Sequence, residues 1–222
     1  MFESVTPLKR ETLQAQVYRR LCALILEGEI APGESVTVAS IATALDVSPM
    51  PVREAISRLT ALGALTVVSG RSIGVPRLNA EDLADLRRVR LEVESIAVRW
   101  AFEHVDEDFL KALEAILVSM EAAERAGRVR DFIHANYDFH FSVYRQAHSP
   151  TMLEIISNIW LRINPQFHLL YRHGHYRLSN RQHRQLFECF ATRDAAGAVD
   201  ALRADIDSAY EVILSTLTEE SF

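Results

Sequence analysis

The sequence predicts a mainly α-helical protein: a winged helix-turn-helix over residues 1–78, followed by an all-α, six-helix antiparallel bundle over residues 79–222. Three observations carry this. Short helical patterns before residue 64 are followed by two β-prone pieces around Ser69-Gly70-Arg71-Ser72, and everything beyond Pro76 has the periodicity of long helices with almost no strand signal. A chain of 222 residues also exceeds what one small core needs.

In the first part, Val17, Leu21, Leu24 and Ile25 recur at helical spacing between Leu13 and Glu27, and Gly28 ends the run. Ala31-Pro32-Gly33-Glu34 reads as a turn, and Ile41–Leu45 as a short helix broken by Asp46-Val47-Ser48. Ser48 suits the cap of the next helix and Pro49 its first position. Ile56, Leu59 and Leu62 mark its buried stripe up to Gly63. Ala64 to Val68 and Ile73 to Val75 then form the hairpin of the wing.

In the second part, polar caps precede most of the helical runs. The helices are expected at Ala80–His104 after Asn79, Glu107–Ala126 after Asp106, Val129–Ala147, Pro150–Tyr176 after Ser149 with a kink at Pro165, Asn180–Thr192 after Ser179, and Ala195–Leu217 after Asp194. Consecutive helices with short connections make antiparallel neighbours.

Bulk properties narrow the function. No stretch approaches twenty uninterrupted apolar residues, and Met1-Phe2-Glu3-Ser4 lacks the basic and apolar regions of a signal peptide. A soluble, cytoplasmic protein without a membrane partner is expected. Cys22 and Cys189 fit neither a disulfide framework nor zinc-ribbon spacing and are expected to be buried thiols. The net charge is −6, yet residues 1–76 are neutral, so the excess negative charge lies C-terminal.

A helix that enters the major groove must be held at a fixed angle and present its early residues to bases and phosphates. Ser48 and the helix N-terminus suit a phosphate, Arg53 suits a guanine edge or phosphate, and Arg71 at the wing tip suits the minor groove or backbone. The candidate DNA contacts are Ser48, Met50, Pro51, Arg53, Arg58, Arg71 and Ser72. The alternative is a small structural domain in which Arg53 pairs with a neighbouring carboxylate.

This stretch resembles the GntR superfamily of bacterial regulators. The likeness runs through Gly28, Pro32-Gly33, Ile41-Ala42, Leu45, Val47-Ser48, Pro51 to Ile56, Arg58-Leu59, Leu62-Gly63 and Gly70-Arg71. The family usually has an arginine after the serine, as a DNA contact; this chain has Pro49 there. The resemblance therefore carries a DNA-contacting role over to Arg53 and not to position 49.

In the helical half, Asn136 and His140 fall inside the apolar stripe of Phe132, Ile133, Tyr137, Val143 and Tyr144, one turn apart. His183 opens the series with Leu186, Phe187 and Phe190, and Asp205 interrupts Leu202, Ile206, Ala209 and Ile213. Four groups of metal-ligand type thus point inward from three helices, with hydrogen-bonded core polar residues as the alternative. His134 and Asp138 share an exposed face, and His168, His173 and His175 lie near a helix end, so neither group is expected to hold metal. Arg90 lies on an inward stripe with Leu86, Val93 and Ala97, where it needs an anion. A pair with Glu94 and contact with a ligand carboxylate both remain open. Tyr137 and Tyr144 are candidates for lining the cavity or for ordinary core packing.

This half resembles the FCD ligand-binding domain of the FadR subfamily of GntR regulators, through Arg90 with Glu94, Asn136-x-x-Phe139-His140, His183 and Asp194-x-x-x-Ala198. The resemblance implies a divalent metal held by an Asp or Asn and three histidines near a cavity for small carboxylates. Asn136, His140 and His183 match three ligand positions, and Asp205 stands where the fourth is normally histidine. Such a mixed nitrogen and oxygen set leaves zinc, manganese, iron or nickel open. The expected function is a homodimeric regulator, a repressor, that binds an operator in double-stranded DNA under control of a small carboxylate effector. The rival is a metal-dependent, hydrolase-like enzyme with an accessory N-terminal interaction domain, for which no dedicated general base stands out.

Overall fold

The computed structural model describes residues 12–70, 72–172 and 176–219, without side chains at 168–178, 218 and 219. Helix α1 (Leu13–Leu26) starts where the Ala15 amide donates to the Thr12 hydroxyl at 3.2 Å, and it buries Val17, Leu21 and Ile25. Helix α2 (Val38–Ala44) opens with a reciprocal capping box between Thr37 and Ser40. Helix α3 (Pro49–Ala61) has proline in its first turn, where no intrahelical N–H is needed, and buries Pro51, Val52, Ala55, Ile56 and Leu59.

The wing is a three-stranded antiparallel sheet in the order β1-β3-β2, from β1 (Ser35–Thr37), β2 (Thr66–Ser69) and β3 (Ser72–Gly74). Ile73 pairs with Val36 on one side and Val67 on the other. Strand β1 was not expected from the sequence. It has a single apolar residue between Ser35 and Thr37, too short for alternation, and owes its form to pairing with β3. Gly74 permits that pairing, since a Cβ there would run into the Glu34 carbonyl.

The helical half contains α4 (Ala80–Ala101), a 3₁₀ turn at Phe102–His104, α5 (Glu107–Arg125), α6 (Val129–Gln146), α7 (Pro150–Arg172), α8 (Tyr176–Ala191) and α9 (Ala195–Glu219). Asn79, Asp106 and Asp194 accept from the amides of Asp82, Phe109 and Gly197 at 2.7–2.9 Å and so cap α4, α5 and α9. Helix α7 ends four residues before the expected Tyr176, and α8 begins four residues before the expected Asn180. Ser179 is therefore inside α8 and not its cap. Its hydroxyl instead donates to Asp205 at 3.2 Å.

Two cores result. Val17, Leu21, Ile25, Val52, Leu59, Ile73 and Val75 form the first; Leu78, Leu86, Leu113, Phe132, Phe139, Trp160, Phe190 and Leu202 belong to the second. One residue crosses between them: Leu161 of α7 is buried in the first core. Cys22 and Cys189 are free and half-buried, because each lies at the margin of a core and not within it. Among the described residues, no helix is long and apolar enough to cross a membrane.

Candidate functional site

Helix α3, from Arg53 to Ala61, and the wing face a common groove of about 1120 Å³, lined among others by Thr37, Arg53, Ser57, Ser69 and Ser72. Arg53 is exposed and makes no ion pair or hydrogen bond among the described residues, so the alternative in which a neighbouring carboxylate engages it is not seen. Met50 is 62% exposed in the first turn of α3. Ser48 stands at the N-cap position, but its hydroxyl makes no capping bond, which leaves both it and the first-turn amides available.

Two candidate contacts are placed elsewhere. Pro51 is buried with the packed face of α3 and offers no accessible surface to DNA. The Arg58 guanidinium lies 3.9 Å above the Tyr18 ring of α1, in a cleft of about 390 Å³ that also contains Glu154 and Leu161 of α7. Arg58 lies five residues after Arg53, a net rotation of about 140° around the helix, which carries it to the side facing the helical domain. Arg71 lies outside the described residues.

Within the helical domain, α6, α8 and α9 bring His140, His183 and Asp205 together. His140 Nε2 is 2.9 Å from His183 Nε2 and 3.3 Å from Asp205 Oδ2, and His183 Nε2 is 3.6 Å from Asp205 Oδ1. All three are buried, and a ligand atom from each falls within 4.8 Å of the others. Asn136, one turn before His140, is 2% exposed and makes no side-chain hydrogen bond among the described residues.

The protonation states suit a cation. Burial pushes His183 down to about 4, so it is a neutral imidazole at neutral pH. For Asp205 burial acts upward, but His183, His140 and Arg90 together outweigh it and hold the carboxyl down to about 2. Two imidazoles and one carboxylate in a buried pocket form a donor set that fits zinc or a related divalent ion. A bound ion would supply positive charge and open coordination positions for an anionic ligand.

Beside this cluster, Glu94 of α4 is fully buried and collects four donors. Arg90 donates through Nε at 2.7 Å and Nη2 at 3.3 Å, Trp160 through Nε1 at 3.2 Å, and Tyr144 through its hydroxyl in a short bond. Tyr144 Oη also lies 3.2 Å from His140 Nδ1. Burial, then the charge of Glu94, pushes the Tyr144 phenol well above its ordinary value. Arg90 is therefore an intrahelical partner of Glu94, engaged through Nε and Nη2. Tyr137 takes the core-packing alternative: it stacks on Phe141 at 4.0 Å, meets Trp160 edge-on at 5.8 Å, and lines the clefts beside Cys22 and Leu26.

Trp160 had no signal in the sequence beyond an aromatic residue in an apolar stripe. It belongs to a stretch of α7 that touches both domains. Trp160 packs 5.2 Å from the His140 ring, Leu161 fills the first core, Asn164 donates to the Leu26 carbonyl at 2.6 Å, and Gln166 to the Pro76 carbonyl at 3.4 Å. His134 and Asp138 pair at 3.4 Å on the exposed side of α6. The side chains of His168, His173 and His175 lie outside the described residues.

A winged helix-turn-helix coupled by one helix to a domain with a buried imidazole and carboxylate cluster defines a DNA-binding regulator. Comparison with known proteins agrees: residues 13–75 match the bacterial regulatory proteins of the gntR family, and residues 85–208 match the FCD domain. The HTH-type transcriptional regulator McbR of Escherichia coli (strain K12) is 30% identical over 164 residues, 74% of each chain. The solved structure of E. coli McbR/YncC superposes with a TM-score of 0.84 at 25% identity, covering 96% of this chain and all of that one. The metal-free FCD domain of TM0439, 19% identical, has the same fold, with a TM-score of 0.56 over 64% of this chain and 99% of that one. The chain belongs to the GntR family of bacterial regulatory proteins and carries an FCD domain, an arrangement consistent with the FadR-like subfamily. It is a DNA-binding transcription regulator and not an enzyme; the hydrolase alternative is not favoured.

Proposed function

We propose that this regulator is a cytoplasmic, homodimeric repressor whose operator affinity is set by a small carboxylate, held with a divalent ion at Asn136, His140, His183 and Asp205. The observation that carries this reading is the buried convergence of two imidazoles and a carboxylate around one point. An ion there offers an anchor for a carboxylate, a role that Arg90 does not fill because Glu94 already neutralises it. Helix α7 supports the control step, since Trp160 touches the cluster and its neighbour Leu161 is buried in the DNA-binding unit. Ser48, Met50, Arg53 and Ser72 are the DNA contacts on this reading, with the first turn of α3.

Two features support a dimer. The DNA-binding unit carries no net positive charge, so one copy has little electrostatic affinity, and linking two raises the effective concentration of the second. Helix α4 also leaves Val89 and Trp100, eleven residues apart on one side of the helix, exposed to solvent. The test is fluorescence anisotropy on a selected operator, with and without zinc, nickel or manganese and a panel of small carboxylates, alongside sedimentation of the free protein. Expected is a dimer whose operator affinity falls at least tenfold with metal and one carboxylate. An affinity indifferent to every combination, or a monomer at micromolar concentration, overturns the reading.

A further inference from the structure

Among the described residues, the second nitrogen of His140 has a partner and that of His183 has none. His140 Nδ1 faces Tyr144 Oη at 3.2 Å, whereas His183 Nδ1 is buried without a hydrogen bond. A phenol has one proton to give. Glu94, paired with Arg90 through both oxygens, is a carboxylate and only accepts. The short bond between Tyr144 and Glu94 therefore takes the Tyr144 proton. What remains at Oη is acceptor capacity, so the contact with His140 is made by an Nδ1–H. In the neutral ring the opposite nitrogen, Nε2, then carries the lone pair, and it is this atom that faces His183 and Asp205.

We infer that Tyr144 is a positioning residue: held by Glu94, it fixes His140 in the Nδ1-protonated tautomer and turns the Nε2 lone pair towards the ion. This rests on the metal-site reading above for its purpose, though not for its geometry. It fits the general behaviour of ligating histidines, whose outer nitrogen donates to a fixed acceptor that sets ring orientation and basicity. The relay reaches further here, because Glu94 also accepts from Trp160 on α7. The same carboxylate thus aims the ligand and touches the helix that runs to the DNA-binding unit.

His183 has no such constraint. In the metal-free protein, Nε2 of one histidine must donate across the 2.9 Å contact, and with His140 Nε2 unprotonated the donor is His183. Ligation through that atom moves its proton, by exchange with water, to the orphaned Nδ1. Asn180, one turn earlier on α8, has a buried Oδ1 that also lacks a partner among the described residues. The imidazole stays neutral throughout; only the position of its proton changes.

The experiment is long-range ¹H–¹⁵N correlation on the full chain with ¹⁵N-labelled histidine, metal-free and with zinc, together with competition titration of zinc against a chromophoric chelator. His140 is expected to be Nδ1-protonated in both states, while His183 changes from Nε2- to Nδ1-protonated. Tyr144→Phe is expected to lose the bias at His140 and to bind zinc about tenfold more weakly or worse, with the thermal transition of the metal-free variant as the check on folding. An Nε2-protonated His140 in metal-free wild-type protein overturns the relay whether or not zinc binds. That measurement needs no variant and stands even if Tyr144→Phe does not fold. Unchanged zinc affinity in a folded Tyr144→Phe protein overturns the positioning role. Failure of the wild-type protein to bind zinc, with His140 still Nδ1-protonated, overturns the metal-site reading and leaves the hydrogen-bond relay standing.

Discussion

The indole of Trp160 donates to Glu94 Oε1 at 3.2 Å, across the interface between α7 and α4. Its chain neighbour Leu161 is 3% exposed and lies in the core of the DNA-binding unit. Adjacent positions on a helix point about 100° apart, so one helix places consecutive side chains in two domains. Any shift of α7 that answers a change around Glu94 therefore moves an apolar group that the DNA-binding unit needs for its own packing.

Leu161→Ala is expected to cost about 2–5 kcal/mol, because it empties a closed site in the first core. Urea unfolding measures this, and the loss should appear in the transition of the DNA-binding unit. Trp160→Phe removes the donor, which costs about 1 kcal/mol, and adds the cost of leaving part of the indole volume empty in a fully buried site. A Leu161→Ala protein as stable as wild type would contradict the placement of this residue.

Arg53 and Arg58 should behave differently although both are exposed arginines of α3. Arg53→Ala is expected to lower specific operator affinity by at least tenfold and to reduce the salt dependence of binding, with no change in thermal stability, since Arg53 is exposed and has no partner among the described residues. Arg58→Ala should leave operator affinity within about threefold and cost about 0.5–1 kcal/mol of stability through loss of its contact with Tyr18. Gel-shift titration at two salt concentrations and a melting curve decide both.

The Arg90 and Glu94 pair is buried and hydrogen-bonded, so removing one partner is worse than removing both charges. Arg90→Met strands a carboxylate that keeps only neutral donors and is expected to cost about 3–5 kcal/mol. The double substitution with Glu94→Gln should recover part of that loss. A double-mutant cycle in urea tests this; strictly additive losses would show that the two residues do not act as a pair.

Acidification should destabilise the metal-free protein in two windows. His183 is held at about 4 in the folded protein against an ordinary 6.5, so between those values the unfolded chain takes up a proton that the folded one does not. Stability therefore falls as pH drops from 6.5 towards 4. Asp205, held at about 2 against 3.8, stabilises the fold above 3.8, and that contribution is lost as pH falls towards 2. Urea midpoints from pH 7.5 to 4.5 should decline in wild-type protein and less steeply in His183→Phe. Equal slopes in the two proteins would refute the assignment to His183.

Much of this architecture is legible in local sequence. Helix starts at Asn79, Asp106 and Asp194 follow from side chains that cap their own backbone, a property of three or four neighbouring residues. The inward positions of Asn136, His140, His183 and Asp205 follow from periodicity, since a polar residue within an apolar stripe has to be buried with it. Strand β1 escaped because its form comes from β3, thirty-seven residues further on at Val36 and Ile73. The break between α7 and α8 was misplaced because Ser179 has the composition of a cap, while its hydroxyl is engaged by Asp205 from another helix.

Which residues form helices, which faces they bury and which chemistry those faces carry are largely local matters, settled within a few turns of chain. What those groups do to one another is settled by long-range packing. Arg90 is spent on Glu94, Tyr144 joins Glu94 to His140, Tyr137 looks out to a cleft, and Arg58 turns from the DNA to Tyr18. Each of these depends on how helices are rotated and spaced against each other. That is set by packing between segments far apart in the chain, and no local pattern encodes it.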